Sequence, residues 1–298
     1  MFSTEEFIIA VFCCVDDALK SLFKAYPITI ARGFAPHLTP AEVVTMELVG
    51  EYRGLDTDKG IWQYFRGHWH ALFPELASRT SFTRQAANLW QYKHLLQQQF
   101  AEHLGVFDEC VHLVDGLPIV LCNFRHAPRC ASFQAEASYG YCAAKAEHFY
   151  GFHGHLSVTL KGVITGFTVS AANGNEREAL WETLEQVKGL VIGDKGYLSQ
   201  SLQAELAEYG VELVTPVRAN MNDKLPKAWT HLLLRLRRLI ETVNSQLSER
   251  FHFEKVWARD RWHLTSRINR KVLAHTVCCF LNHQMGRELL HFDTLVVD

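Results

Sequence analysis

From Val111 the chain reads Val111-His-Leu-Val-Asp115-Gly-Leu-Pro-Ile-Val-Leu121, an apolar strand interrupted by a single carboxylate. An unpaired carboxylate is expensive to bury, so the acid in this strand calls for a partner. The residues beyond Leu121 restrict the fold further. Residues 122 to 150 read as a long irregular connection containing arginines and aromatics. Strand-like alternation then flanks Lys161-Gly162, a two-residue hairpin signal between Phe152–Leu160 and Val163–Ser170. Asn175 is placed to cap a helix from Glu176 to Lys188. Leu190 to Asp194 reads as a short buried strand ending at an acid. A helix over Ser199–Tyr209, a strand over Val211–Pro216, a long helix from about His231 to Arg250 and a mostly helical tail complete the order. Strands alternating with helices in this way predict an α/β layered domain with a mixed sheet.

The first 107 or so residues read as helical. Thr4 is expected to cap a helix running to about Lys24, and Thr39-Pro40 with Glu42 opens another, since proline suits a first helical turn. Two more are expected, over Asp56–Gly67 and from Ser81 to about Leu104. Short helices joined by tight turns, ending in Ser81-Phe82-Thr83-Arg84-Gln85, would suit a helix-turn-helix-like DNA-binding module. They would equally suit a helical cap on the second domain.

A length of 298 residues suggests two domains of roughly 150 residues each. With 48% hydrophobic and 21% charged residues, the chain belongs to the globular class. Phe7–Val15 is too short to span a bilayer, and it follows Glu5 and Glu6 rather than basic residues, unlike a signal peptide. None of the eight cysteines stands in a C-x-x-C, so inert thiols in a reducing cytoplasm are expected rather than a zinc site.

The net charge of −2 conceals an asymmetry. Between His231 and His275 ten basic residues accompany four acids, a local +6 that leaves −8 for the remainder. Interleaved with Trp257 and Trp262, such a segment has the electrostatic footprint of a phosphate-backbone contact, a solvated helical face being the alternative.

Three carboxylates stand where chemistry is plausible. Asp115 interrupts its strand, and Asp194 ends one, at the position where ligands collect in open α/β sheets. Glu241 lies on the long helix beside an expected core stripe of Leu232, Leu236, Leu239, Val243 and Leu247, sharing a polar face with Arg237, Asn244 and Ser245. Each acid alone also reads as a strand-end or surface charge. Together they form an oxygen donor set suited to paired Mg²⁺ ions and phosphodiester displacement. His148, His153 and His155 could suggest a transition-metal site, but no cysteine or carboxylate is spaced with them, and a polar outer strand face is the expectation.

The segments Val114-Asp115-Gly-Leu-Pro-Ile, Gly140-Tyr-Cys-Ala-Ala-Lys145, Phe149-Tyr-Gly-Phe, Gly193-Asp194-Lys-Gly-Tyr197 and Leu239-Ile-Glu241-Thr-Val succeed one another in register. Taken together, from about residue 38 to 285, the chain resembles a bacterial insertion-sequence DDE transposase of the insertion-sequence-982 group. The resemblance implies an RNase H-like catalytic core over 108–286, preceded by an all-helical N-terminal region over 1–107 and followed by a tail over 287–298. It implies Asp115, Asp194 and Glu241 as the catalytic and metal-binding triad, with Asp115 bridging two Mg²⁺ ions, replaceable by Mn²⁺. Related transposases often carry Tyr-x-x-Arg-x-x-x-Glu-x-x-x-x-x-x-Lys on the last helix. Arg237 matches, whereas Leu234 and Ser248 stand at the Tyr and Lys positions, and His153 stands where a lysine is expected.

The implied partners are double-stranded DNA, both element ends and target, bound by a homodimer or higher oligomer in the bacterial cytoplasm at the nucleoid. Arg125, Arg129, Lys145, Lys195, Arg237, Arg238, Arg259 and Arg261 are the expected DNA contacts. A related nuclease that cuts without transposing, or a catalytically inactive DNA-binding protein, is the alternative.

Overall fold

The structure is a computed structural model that describes residues 1–27, 36–142, 146–216 and 227–297. These form two compact units, one of Met1–Phe100 with Leu247–Asp298 and one of Ala101–Gln246.

The first unit is helical. Its helices are α1 (Thr4–Ala25), α2 (Pro40–Tyr52), α3 (Asp58–His68), α4 (Arg79–Asn88) and most of α5 (Trp90–His103). Ser3, one residue before the expected cap, caps α1, because its extended backbone lets the hydroxyl accept from Glu6 N while Glu6 bonds back. Thr39 and Glu42 make the same reciprocal pair at α2. The single helix expected from Ser81 is two. Ser78 caps α4, and a tightened turn at Leu89, whose N–H bonds Ala86 O, ends it. Ser81 to Gln85 lies inside α4, as expected of a helix beginning there.

The second unit holds a six-stranded mixed sheet. Its strands are β1 (Val111–Asn123), β2 (Ser138–Cys142), β3 (Glu147–Thr159), β4 (Ile164–Ala171), β5 (Gly189–Ile192) and β6 (Val211–Val214). The order β2-β3-β1-β5-β6 is completed by β4 on the same outer edge of β3 as β2. β1 runs antiparallel to β3 and parallel to β5, and β5 runs parallel to β6. The 122–150 segment is thus more regular than expected, because β1 and β3 both extend outward and β2 pairs with the extension. A bulge between Val120 and Cys122 bends this arm. Gly151 lies at the bulge, where a Cβ would run into the Ile119 carbonyl.

Helices cover both faces of the sheet. α6 (Glu176–Thr183) and α7 (Gln200–Glu208) bury Leu180, Leu184, Leu202 and Leu206 against Val114, Val191 and Leu213. α8 (Lys227–Ser245) packs against β1. Its buried side chains include Leu233, Ile240 and Val243, with Leu247 just beyond; Val243 and Leu247 belong to the expected stripe, but in the first half Leu233 is buried and Leu232 is 44% exposed. The chain continues through a π-helical turn, Gln246–Arg250, in place of the last turn of a straight helix.

α9 (Arg261–Gln284) packs on α2 and α4 within the helical unit. The compact units divide near residues 100 and 246. Residues 287–297 are no loose tail: Phe2 bridges Val296, and the Tyr52 hydroxyl donates to Phe292 O at 2.8 Å.

Charge buried within the helical unit explains this division. Arg270 bonds Glu51 and, at 2.5 Å, Asp58; Lys271 reaches Glu51 at 2.6 Å; Lys93 reaches Glu47 at 2.8 Å. Arg267 also pairs with Asp58, at 2.6 Å. Burial alone would raise the Asp58 carboxyl, but Arg270 and Arg267 outweigh it and hold it well below the usual range. Arg267, Arg270 and Lys271 belong to the +6 segment of the sequence. Their positive charge is spent inside the unit rather than on a DNA-facing surface.

All eight cysteines are free thiols. Among the described residues, no helix is long and apolar enough to cross a membrane.

Candidate active site

Register places the two aspartates side by side. Leu113 on β1 pairs with Ile192 on β5 in a parallel ladder, and Asp115 and Asp194 each lie two residues further on. Since side chains alternate along a strand, Asp115 shares the face of Leu113, opposite Val114 in the α6–α7 core. Gly189 allows the pairing to begin: its φ of +91° and the nearby Cys110 carbonyl exclude a side chain. After β5 the chain leaves the sheet at Gly193, and Asp194, in extended backbone, accepts from Lys195 N at 2.5 Å to start a short 3₁₀ turn.

α8 connects both aspartates. Asn244 Nδ2 donates to Asp115 Oδ2 at 3.0 Å, and Arg237 Nη1 donates to Asp194 Oδ1 at 3.2 Å. These two residues are seven apart, two turns along one helical face, and Glu241 lies between them at i+4 from Arg237. Glu241 itself is exposed.

The electrostatics agree with this arrangement. Burial pushes the Asp115 carboxyl up to about 6; the Gly116 N–H, at 2.9 Å, and Arg237 oppose the rise, and the charges of Asp194 and Glu241 add to it. The acids are therefore close enough to repel one another through a partly desolvated region. Such a site attracts cations, and an all-oxygen donor set fits a hard divalent ion. Among the described residues, however, no three His, Cys, Asp or Glu side chains are gathered tightly enough to hold a metal ion. Asp115 and Asp194 instead direct oxygens to Asn244 and Arg237.

The remaining expected site residues are dispersed. Lys195 is exposed directly after Asp194, and Arg238 is exposed beside Arg237. Arg125 and Arg129 are exposed on the 3₁₀ segment Phe124–Arg129, beyond the end of β1. Arg259 and Arg261 are exposed in the helical unit, around the Asp260 cap of α9. Lys145 lies outside the described residues, as does the Leu234 side chain. Ser248 is half-buried in the π-helical turn.

His148 is exposed, but His153 and His155 depart from the expected polar outer strand face. His155 is buried, with Nε2 2.9 Å from Ser170 Oγ, and burial lowers it to about 4. His153 lies on the α6 side with Nδ1 3.8 Å from Glu176 Oε1. Glu176 also packs against Gly196, so this first-turn acid of α6, next to the Asn175 cap, supports the loop after Asp194. Its position at the start of α6 is readable in the sequence; its contact with the Asp194 loop is not.

Comparison with known proteins places these features in a family. The family described as Transposase DDE domain matches residues 107–261. No curated protein matches the chain. Among solved structures, a cryo-EM structure of a piggyBac transposase synaptic complex with hairpin DNA is similar, at 9% identity and a TM-score of 0.44, over 98% of this chain and 78% of that one.

Proposed function

The chain belongs to the transposase DDE-domain family, and from that premise we propose that it is the transposase of a bacterial insertion sequence, binding the element's terminal inverted repeats and cutting and joining DNA. The observation that carries the proposal is the bonding of one α8 face to Asp115 and Asp194, with Glu241 between the two contacts. The strand sequence β4-β3-β1-β5-β6, antiparallel through the first three strands and parallel through the last three, supports an RNase H-like core.

In this reading Asp115, Asp194 and Glu241 hold two Mg²⁺ ions, with Mn²⁺ as a substitute. The ions, when bound, would activate water and stabilise the attacking and leaving oxygens of an in-line displacement. Asn244 orients the Asp115 carboxylate. Arg237, released from Asp194, is placed to contact the scissile phosphate, with Lys195 and Arg238 beside it. Arg125, Arg129 and Lys145 in one unit, and Arg259 and Arg261 in the other, supply backbone contacts along a duplex. The N-terminal helices contribute to end binding, and the active form is a dimer or higher oligomer on DNA. The protein works in the cytoplasm, at the nucleoid.

The test is a strand-transfer assay with labelled terminal-repeat duplexes and a supercoiled target plasmid. Labelled ends joined to the plasmid are the expected product. Cleaved ends without joined product would make the chain a nuclease, and end binding without cleavage would make it a DNA-binding protein.

A further inference from the structure

Beyond Asp115 the β1–β3 arm extends past the short strands β5 and β6 and carries a row of exposed rings at its outer end. Phe124, Tyr139 and Tyr141 are each about half exposed, and His148 is exposed. Their rings touch in succession: Tyr139 to Phe124 at 5.3 Å, Phe124 to His148 at 5.7 Å, and His148 to Tyr141 at 4.8 Å between centroids. Tyr150 backs Tyr139 at 5.4 Å and is anchored by its hydroxyl on Phe133 O. Exposed aromatics in this number on one small patch are costly in water unless they meet a partner.

The strand register defines which way the patch faces. Tyr139 and Tyr141 pair with Tyr150 and His148, so all four side chains lie on one face of the arm. Tyr150 and His148 are an even number of residues from Leu156, the cross-strand partner of Asp115. The rings therefore share the sheet face of the candidate active site. Nine strand residues from Asp115 to Phe124 set the separation at no more than about 30 Å, at roughly 3.3 Å per residue.

The adjoining charge identifies the occupant. The 3₁₀ segment Phe124-Arg-His-Ala-Pro-Arg129 carries Arg125 and Arg129, both exposed, and no acid. Rings offering flat π-faces beside guanidinium groups match nucleobases freed from a duplex and the phosphates that link them. We propose that this patch is a stacking platform for unpaired bases of the DNA bound at the active site. The proposal rests on the DNA-processing reading above and adds a single-stranded partner to it.

The test uses the full chain, the double variant Tyr139→Ala/Tyr141→Ala, the variant Phe124→Ala on a separate element, and the ring-preserving Tyr139→Phe/Tyr141→Phe. Anisotropy is measured on a labelled oligo(dT) strand and on a blunt duplex of equal length. For both alanine variants, oligo(dT) affinity is expected to fall at least about tenfold while duplex affinity moves less than about twofold, with the phenylalanine variant near wild type on both. Unchanged oligo(dT) affinity in a protein that still binds duplex overturns the platform and leaves the transposase reading standing. Equal losses on both probes overturn it in favour of a general backbone contact. A change in oligomeric mass without a change in DNA affinity overturns it in favour of a second copy of the chain. A wild type that binds neither probe overturns both readings.

Discussion

Asn244 on α8 donates its side-chain amide to Asp115 on β1 at 3.0 Å, tying the middle strand of the sheet to the helix that carries Glu241. Among the described residues the Glu241 side chain makes no hydrogen bond or ion pair, so its position depends on the contacts of its helix neighbours. The Asn244→Ala variant removes one of these. Cleavage activity is expected to fall about 10- to 100-fold, as for other residues that orient a metal-binding carboxylate. Terminal-repeat binding is expected to stay near wild type, and parallel cleavage and gel-shift measurements check both.

The buried charges of the helical unit predict a different kind of loss. Arg270→Leu takes from Glu51 and from Asp58 one of the two cations each holds, leaving only Lys271 and Arg267, in a site closed to water. Breaking a buried pair from one side costs about 3–5 kcal/mol. Urea unfolding should show that loss. A variant as stable as wild type would mean that these acids take up protons at little cost.

His275, wholly buried between Phe251 and Phe292, provides a pH signature. Burial lowers it to about 3, so it stays neutral in the fold while the unfolded chain takes up a proton below about 6.5. Its folded pKa is depressed, the unfolded state binds more protons, and stability is therefore lost as pH falls from about 6.5 toward 3. At pH 4.5 this contribution amounts to about 3 kcal/mol. The His275→Leu variant should show a shallower decline than wild type over that range, measured as urea-unfolding free energy against pH.

Arg259 and Arg261 flank the Asp260 cap of α9 and are exposed. If both contact phosphates, the double alanine variant should weaken binding to terminal-repeat and scrambled duplexes alike. It should also reduce the slope of log affinity against log salt by about 0.9 per lost contact. Titrations at several salt concentrations measure this, and an unchanged slope assigns the two arginines to ordinary surface.

Much of this is legible in the residues, for identifiable reasons. Asp115 inside an apolar run and Asp194 at a strand end are local signals, and each marks a strand position directly. The shared polar face of Arg237, Glu241 and Asn244 follows from helical spacing alone. The buried stripe of α8 meets the expected one at Val243 and Leu247 but departs at its start, because leucines are packed so densely into the first half of the helix that period alone does not choose between Leu232 and Leu233. The association of α9 with α2 is not legible. It depends on Arg270 and Lys271 meeting Glu51, more than 200 residues earlier. Acids at i and i+4 within the apolar run of α2 are the available hint, and they point to no particular partner. The aromatic arm is hidden for a similar reason: β2 and the outer halves of β1 and β3 form strands only by pairing with one another.

The central claim is that Asp115, Asp194 and Glu241 act together on DNA, and Asp194→Asn tests it most directly. The substitution preserves shape and removes the charge that would hold a divalent ion. Cleavage of a labelled terminal-repeat duplex in Mg²⁺ is measured beside binding of the same duplex in Ca²⁺. The account predicts that cleavage falls by orders of magnitude while binding persists, with Asp115→Asn and Glu241→Gln behaving alike. Wild-type cleavage by any one of the three variants would contradict it.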